Sequence, residues 1–209
     1  MGEKIMLTLF HAPQSRSSRI IWLIEELGAD ARIEYCTIAH RNGQKVGEPD
    51  VKNPHPDGKV PALTHDGALI TESAAVALYL TDLFPEVGLG ALPGSPERGP
   101  LLTWLAWAAG ELEPAVWSKM TGEADRVPMS KARYEAAVGR LLETLWEGPW
   151  LMGDRFTVAD VMIGSSLGWA RFAFPDSPLL DAYAERLAQR PARIRADARD
   201  AANAALEAA

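Results

Sequence analysis

Cysteine is almost missing from this chain. Cys36 is the only one in 209 residues, so neither an internal disulfide nor a multi-cysteine metal site can form. A basic excess is missing too: the formal net charge is −7, and the chain lacks the overall electrostatic footprint that a nucleic acid requires. Long apolar runs are absent. Ile5 to Phe10 is a run of six broken by Thr8, short for a membrane span and for the apolar core of a secretory signal. The expectation is a cytoplasmic protein with no metal, no nucleic-acid partner and no membrane partner. No serine is read as a nucleophile elbow, so Ser-His-Asp hydrolysis is not expected. There are no internal repeats. What is present, 47% hydrophobic and 23% charged residues, is ordinary globular composition, enough for one large domain or two small ones.

Lys59 to Ser73 is the most informative stretch. A Val-Pro step leads into the apolar pair Ala62 and Leu63; Asp66-Gly67 separates these from Ala68, Leu69 and Ile70, a strong hairpin signal. Thr71, Glu72 and Ser73 then precede the helical period Val76, Tyr79, Leu80 and Leu83. Pro61 belongs at a strand's mouth. Either it starts an ordinary strand, or a cis Val60–Pro61 bond turns Val60's backbone groups outward, where a short extended peptide can pair with them. The N-terminus of the helix after Ser73 would suit a carboxylate.

Upstream, Ile5 to Phe10 reads as a buried strand, and His11 to Arg16 as a proline-containing loop. Ile20, Leu23, Ile24 and Leu27 follow at helical spacing. Ser17 or Ser18 is placed to cap that helix, and Gly28 to stop it. Ile33 to Ile38 reads as a second strand, parallel to the first because the crossover is long. Ala39 to Gly58 reads as an irregular basic loop. The first 84 residues therefore read β-α-β, loop, β-β-α.

Pro85 to Pro100 holds four prolines and four glycines and marks a linker. Beyond it no strand pattern returns. Leu101 to about Met120 is helical in period, carries Trp104, Trp107 and Trp117, and is expected to kink at Pro114. Lys131 to Trp146 is amphipathic. Thr157 and Asp160 form a capping-box-like pair at a helix start, with Phe156 placed to staple onto Val161; capping accounts for Asp160 without a catalytic role. Helices around Leu179 to Gln189 and from Pro191 onward complete an α/β half followed by an all-α half.

Three serines, Ser15, Ser17 and Ser18, sit where the first strand meets the first helix. A hydroxyl there adds to the helix dipole in stabilising an anion, and if the anion is a thiolate both lower its pKa. The same serines also serve as caps and loop residues.

Taken together, the residues resemble the cytosolic glutathione transferases over essentially the whole chain. The resemblance rests on Phe10-His-Ala-Pro-Gln-Ser-Arg-Ser17, Ile21 to Leu27, His55-Pro-Asp-Gly-Lys-Val-Pro-Ala-Leu63, Ile70 to Ala75, the tryptophan-rich helix, and Gly153 to Asp160. The branch it looks most like is the bacterial and fungal serine-type group with a Ser-Arg-Ser loop.

It implies a thioredoxin-like glutathione-binding domain over 1–84, a linker over 85–100 and a helical domain over 101–209 that contributes the electrophile site, the whole acting as a homodimer. It implies that Pro61 is the cis-proline and that Val60's backbone meets the cysteinyl unit of glutathione. Glu72 and Ser73 would hold its γ-glutamyl end, and Lys59 with His40 or Arg41 its glycine end. Ser15 is the activating hydroxyl it implies, with Ser17 second. The electrophile would lie against Trp107, Glu111, Pro114 and Trp117, with Phe10 and His11 below; those tryptophans serve equally as core or dimer contacts.

Arg16 stands where cysteine-type members carry cysteine, which excludes a mixed disulfide there, and Asp57 stands where an apolar residue is usual. The implied reaction is attack of the glutathione thiolate on a small apolar electrophile. The same site accommodates peroxide reduction, isomerisation, dehalogenation or ether cleavage, and the fold also serves as a non-catalytic binding module.

Overall fold

The computed structural model describes residues 6–41 and 43–207, the side chains of 202–207 excepted. Ile5, the expected start of the first strand, and Ala208 and Ala209 in the expected helical tail lie outside the described residues. The chain divides into two compact units, Met1–Leu80 with Pro191–Ala209, and Thr81–Arg190. The reading of 101–209 as one helical block thus differs from the grouping of Pro191–Ala209 with the first unit. Among the described residues no helix is long and apolar enough to cross a membrane.

The first unit is an α/β layer. Strand β1 (Leu7–His11) leads through a serine loop into α1 (Ser18–Leu27), and the chain returns as β2 (Ala31–Tyr35). Next come a small ribbon, β3 (His40–Arg41) and β4 (Gln44–Lys45), then β5 (Ala62–His65), β6 (Ala68–Thr71) and α2 (Ser73–Leu83). The ribbon corrects the reading of residues 39–58 as wholly irregular; it spans two residue pairs, too short for a periodic signal. The main sheet runs β2-β1-β5-β6, with β1 and β2 parallel and the other pairs antiparallel. Strand β2 ends at Tyr35 rather than Ile38, because β1 ends at His11, the residue opposite. Asp66 and Gly67 have φ of 48° and 87°, the paired left-handed geometry that an Asp-Gly turn supplies.

Helix α1 is buried from Arg19 to Ile24 and again at Leu27. Such a helix needs a second layer besides the sheet, and α8 (Pro191–Glu207) provides it. The Arg193 guanidinium stacks over Trp22, 4.9 Å from the ring centre. Arg195 and Arg199 bond Glu25 at 2.8 and 3.3 Å. Leu9, Leu63, Val76 and Leu80 fill the core beneath.

The second unit is helical: α3 (Arg98–Trp107), α4 (Glu113–Met120), α5 (Pro128–Glu147), α6 (Val158–Trp169) and α7 (Pro178–Ala188). Where a kink was expected at Pro114, a π turn over Ala108–Leu112 separates α3 from α4. Proline removes the N–H that would bond the carbonyl of Gly110 and crowds that carbonyl; the wider turn makes room. Arg133 donates to the freed Gly110 oxygen at 2.6 Å.

Asp160 is the polar centre of this unit. It is fully buried. Its carboxylate accepts the Thr157 N–H at 2.8 Å, the Leu151 N–H at 3.0 Å and the Tyr183 hydroxyl at 3.0 Å, as the expected helix-start role requires. Phe156, expected to staple onto Val161, stacks edge-on against Trp150. Burial pushes the Asp160 carboxyl above its usual range, and those hydrogen bonds oppose the rise. Replacing Asp160 by Ala strands buried donors on three segments. The expected cost is about 3 kcal/mol or more of unfolding free energy, checked by the urea midpoint of the purified variant against the parent.

Candidate functional site

The serine loop is built around the start of α1. Ser17, expected as a cap, has helical backbone angles and no side-chain capping bond. Its hydroxyl is turned inward, with no solvent exposure, and lies 2.8 Å from His11 Nδ1 and 2.7 Å from Ser15 Oγ. It also accepts the Ala12 N–H at 3.2 Å. Ser15 is half-buried; its hydroxyl donates to the Ala12 carbonyl at 2.7 Å and accepts the Ser17 N–H at 3.1 Å. Gln14, just before it, has φ of 53°, a left-handed conformation costing of order 1 kcal/mol.

Helix α8 closes this loop. Asp200 accepts the Gln14 N–H at 2.8 Å and the Ser18 hydroxyl at 3.0 Å, and its Oδ1 lies 3.0 Å from His11 Nε2. Burial alone would raise Asp200; the hydrogen bonds from His11, Gln14 and Ser18, with an electrostatic contribution from His11, hold it below the usual carboxylate range. An Asp-His-Ser array is therefore present, but its serine is sealed from solvent and cannot attack an external substrate, so the array gives no ground for hydrolysis. The letters of a nucleophile elbow also occur, as Gly164-Ser165-Ser166-Leu167-Gly168. They fall within α6, where Ser166 is buried and bonded to Glu113, instead of on a strand-to-helix turn.

The second part of the site is the loop before β5. The Val60–Pro61 bond is cis. Asn53 donates to the Lys59 carbonyl at 2.9 Å and accepts the His55 N–H at 3.1 Å, while His55 Nδ1 accepts the Asp57 N–H at 3.0 Å. Asn53 and His55 are both buried. Gly58 sits at φ 61°, and a Cβ there would lie 2.5 Å from Pro49 Cβ. Asp57 pairs with Lys59 at 3.0 Å, and that bond holds its carboxyl below its usual range. Glu72 has φ of 67° directly before α2. Such an angle is uncommon for Glu; no periodic pattern reveals it. Glu72 is exposed and Ser73 half-buried.

Other expected site residues are placed differently. The Arg41 guanidinium donates to the Pro13 and Gln14 carbonyls at 2.7 and 3.0 Å, so it braces the serine loop. His40 is exposed on β3. Phe10 and His11 point to opposite faces of β1: Phe10 lines a cleft with Thr8, Arg32, Glu34 and Lys52, and His11 is 1% exposed. In the helical unit, Trp107 packs edge-on against Trp104 with ring centres 5.2 Å apart, and Arg140 covers it at 4.8 Å. Glu111 pairs with Arg133 at 2.9 Å, Pro114 opens α4, and Trp117 is 38% exposed.

Cys36 follows β2 rather than lying on it, and its N–H bonds the His11 carbonyl at 2.8 Å. Burial pushes its thiol up to about 11, helped by Asp50 and Glu34 and opposed by Lys52 and a His11 backbone bond. The folded value lies above the unfolded one. The stability this contributes is present below about pH 9 and is lost as the pH rises towards 11. The native protein should leave Cys36 unmodified by an aryl disulfide reagent at pH 8, and urea should release one titratable thiol per chain.

Two family descriptions match the chain: Glutathione S-transferase, N-terminal domain, over residues 6–82, and Glutathione S-transferase, C-terminal domain, over residues 124–189. Glutathione S-transferase GstA of Escherichia coli O157:H7 is 31% identical over 191 residues, 88% of this chain and 94% of that protein. Among solved structures, a glutathione transferase from Methylococcus capsulatus superposes with a TM-score of 0.79 at 30% identity, covering 94% of this chain and 99% of the other. A sphingomonad glutathione S-transferase complexed with glutathione gives 0.75 at 30% identity, covering 93% and 98%. With both family domains matched and a 31% identical relative covered over 94% of its length, the chain belongs to the glutathione S-transferase family.

Proposed function

We propose that the protein is a glutathione transferase in which the Ser15 hydroxyl holds the glutathione thiolate for attack on a small apolar electrophile. The observation that carries this is the contrast between the two serines. Ser15 is half-buried at the mouth of α1, whereas Ser17 has no solvent exposure. A ligand reaches the first and not the second, which supports Ser15 as the activating hydroxyl. In the free enzyme Ser15 donates to the Ala12 carbonyl; turning that donor onto sulfur replaces one acceptor by a charged one, a stronger bond. The N-terminus of α1 adds its dipole, and both effects lower the thiol pKa from about 8.5.

The remaining roles are assigned as part of the same proposal. Val60 precedes a cis-proline and stands outside the β5 ladder, which begins at Ala62, so its backbone suits pairing with the cysteinyl unit. The left-handed Glu72 and Ser73 at the start of α2 suit the γ-glutamyl end. Lys59 and His40, both exposed, are assigned to the glycine carboxylate; Arg41 is assigned to the loop instead. The second-substrate surface is drawn from Trp107, Glu111, Pro114 and Trp117, of which Trp117 is the exposed tryptophan. A cytoplasmic homodimer of the serine-type branch is the setting we propose.

Glutathione at about 100 times its Kd should add about 2.7 kcal/mol to unfolding, a rise in Tm of about 5 °C or more for a chain of this size. No shift at millimolar glutathione overturns the proposal. Ser15→Ala should retain glutathione affinity and lose about a hundredfold in kcat with an aryl halide electrophile. Undiminished kcat would remove Ser15 from the mechanism.

A further inference from the structure

Behind Ser15 lies an unbroken line of hydrogen-bonding groups that ends on a carboxylate. Ser15 Oγ is 2.7 Å from Ser17 Oγ, Ser17 Oγ is 2.8 Å from His11 Nδ1, and His11 Nε2 is 3.0 Å from Asp200 Oδ1. His11 is met by Tyr35 from β2, ring centres 5.5 Å apart, by Ser17 from the start of α1 and by Asp200 from α8. Asp200 is itself fixed by the Gln14 N–H and the Ser18 hydroxyl.

An ionised carboxylate only accepts, so Nε2 carries the hydrogen facing Asp200 and Nδ1 of the neutral ring is left as an acceptor. The Ser17 hydroxyl then donates to Nδ1 and Ser17 Oγ accepts the Ala12 N–H; its second lone pair takes the Ser15 hydroxyl once that hydroxyl turns from the Ala12 carbonyl, its partner in the free enzyme, onto Ser17 Oγ 2.7 Å away. A thiol arriving at Ser15 has one place for its proton, a lone pair on Ser15 Oγ; the other accepts the Ser17 N–H.

We propose that this line conducts the thiol proton of glutathione inward to His11, with Asp200 as the carboxylate that positions the imidazole and offsets its charge. The inference rests on the reading of Ser15 as the group that meets glutathione. In the step, the S–H bond breaks as its proton bonds to Ser15 Oγ. The proton of Ser15 passes to Ser17 Oγ, and that of Ser17 passes to His11 Nδ1. A neutral thiol and a neutral imidazole become a thiolate and an imidazolium beside the Asp200 carboxylate, with no change of redox state. Every hydroxyl now points outward: His11 donates to Ser17, Ser17 to Ser15, and Ser15 to the sulfur. Each serine has one donor and two acceptors satisfied before the transfer and after it. Once the thiolate has been consumed, the stored proton returns along the same line to water.

The test is the pKa of glutathione's thiol on the enzyme, read from the ultraviolet absorbance of the thiolate as pH is raised, with glutathione affinity measured by calorimetry. Asp200→Asn keeps the shape and removes the charge; Ser17→Ala interrupts the line. Both are expected to bind glutathione as the parent does, to raise the bound thiol's pKa by about one unit or more, and so to lose about tenfold in thiolate at neutral pH. Should D200N fail to fold, S17A, the smaller change, decides.

An unmoved thiol pKa in the folded variants overturns the relay. So does a variant that lowers Tm and affinity alone, since a purely structural contact would do only that. Ser15→Ala separates the two levels of the claim. If S15A raises the thiol pKa and D200N and S17A do not, only the relay falls. If the parent lowers no thiol pKa, the proposed function falls with it.

Discussion

One carboxylate on the last helix organises the serine loop of the first unit. Asp200 receives a backbone N–H from Gln14, a hydroxyl from Ser18 and the ring of His11. Three separate pieces of the loop and strand are thereby tied to a single point on α8. The left-handed Gln14 becomes tolerable because its N–H has a charged acceptor. Ser17 turns inward because His11 offers it a nitrogen, which leaves Ser15 facing out. Arg41 braces the loop from another element through the Pro13 and Gln14 carbonyls. Half-buried Ser15 thus stands at the outer end of a framework fixed on several sides, the kind of preorganisation that the proposed thiolate site would need.

The helical unit solves a similar problem with a similar device. Asp160 gathers donors from Thr157, Leu151 and Tyr183, joining the start of α6, the loop before it and α7. A buried carboxylate is costly unless its lone pairs are filled, and here the donors come from three segments. Arg133 plays the complementary part at the π turn, supplying a donor to the Gly110 carbonyl that Pro114 leaves without one. In both units, polar groups that local secondary structure cannot satisfy are satisfied by residues distant in the chain.

Much of this was legible beforehand because it depends on near neighbours. The Asp66-Gly67 hairpin, the stop at Gly28 and the start of α6 each rest on a few adjacent residues with one dominant backbone preference. The first strand and helix followed from periodicity. The resemblance to glutathione transferases followed from the order and spacing of several such pieces. The β3–β4 ribbon escaped notice since two-residue strands carry no period. The π turn escaped because Pro114 announces a disturbance without specifying whether the helix bends or widens.

The sequence by itself determined the two-part organisation, the family and the group of candidate serines, because these are properties of local pattern and motif order. Tertiary structure decided which serine faces outward, that Arg41 serves the loop, and that Phe10 and His11 part to opposite faces of β1. The reason is distance along the chain. His11 and Asp200 stand 189 positions apart in number, and no local propensity links them. Only when α8 lies on α1 does a surface aspartate in an alanine-rich tail become the anchor of a buried hydrogen-bonded line.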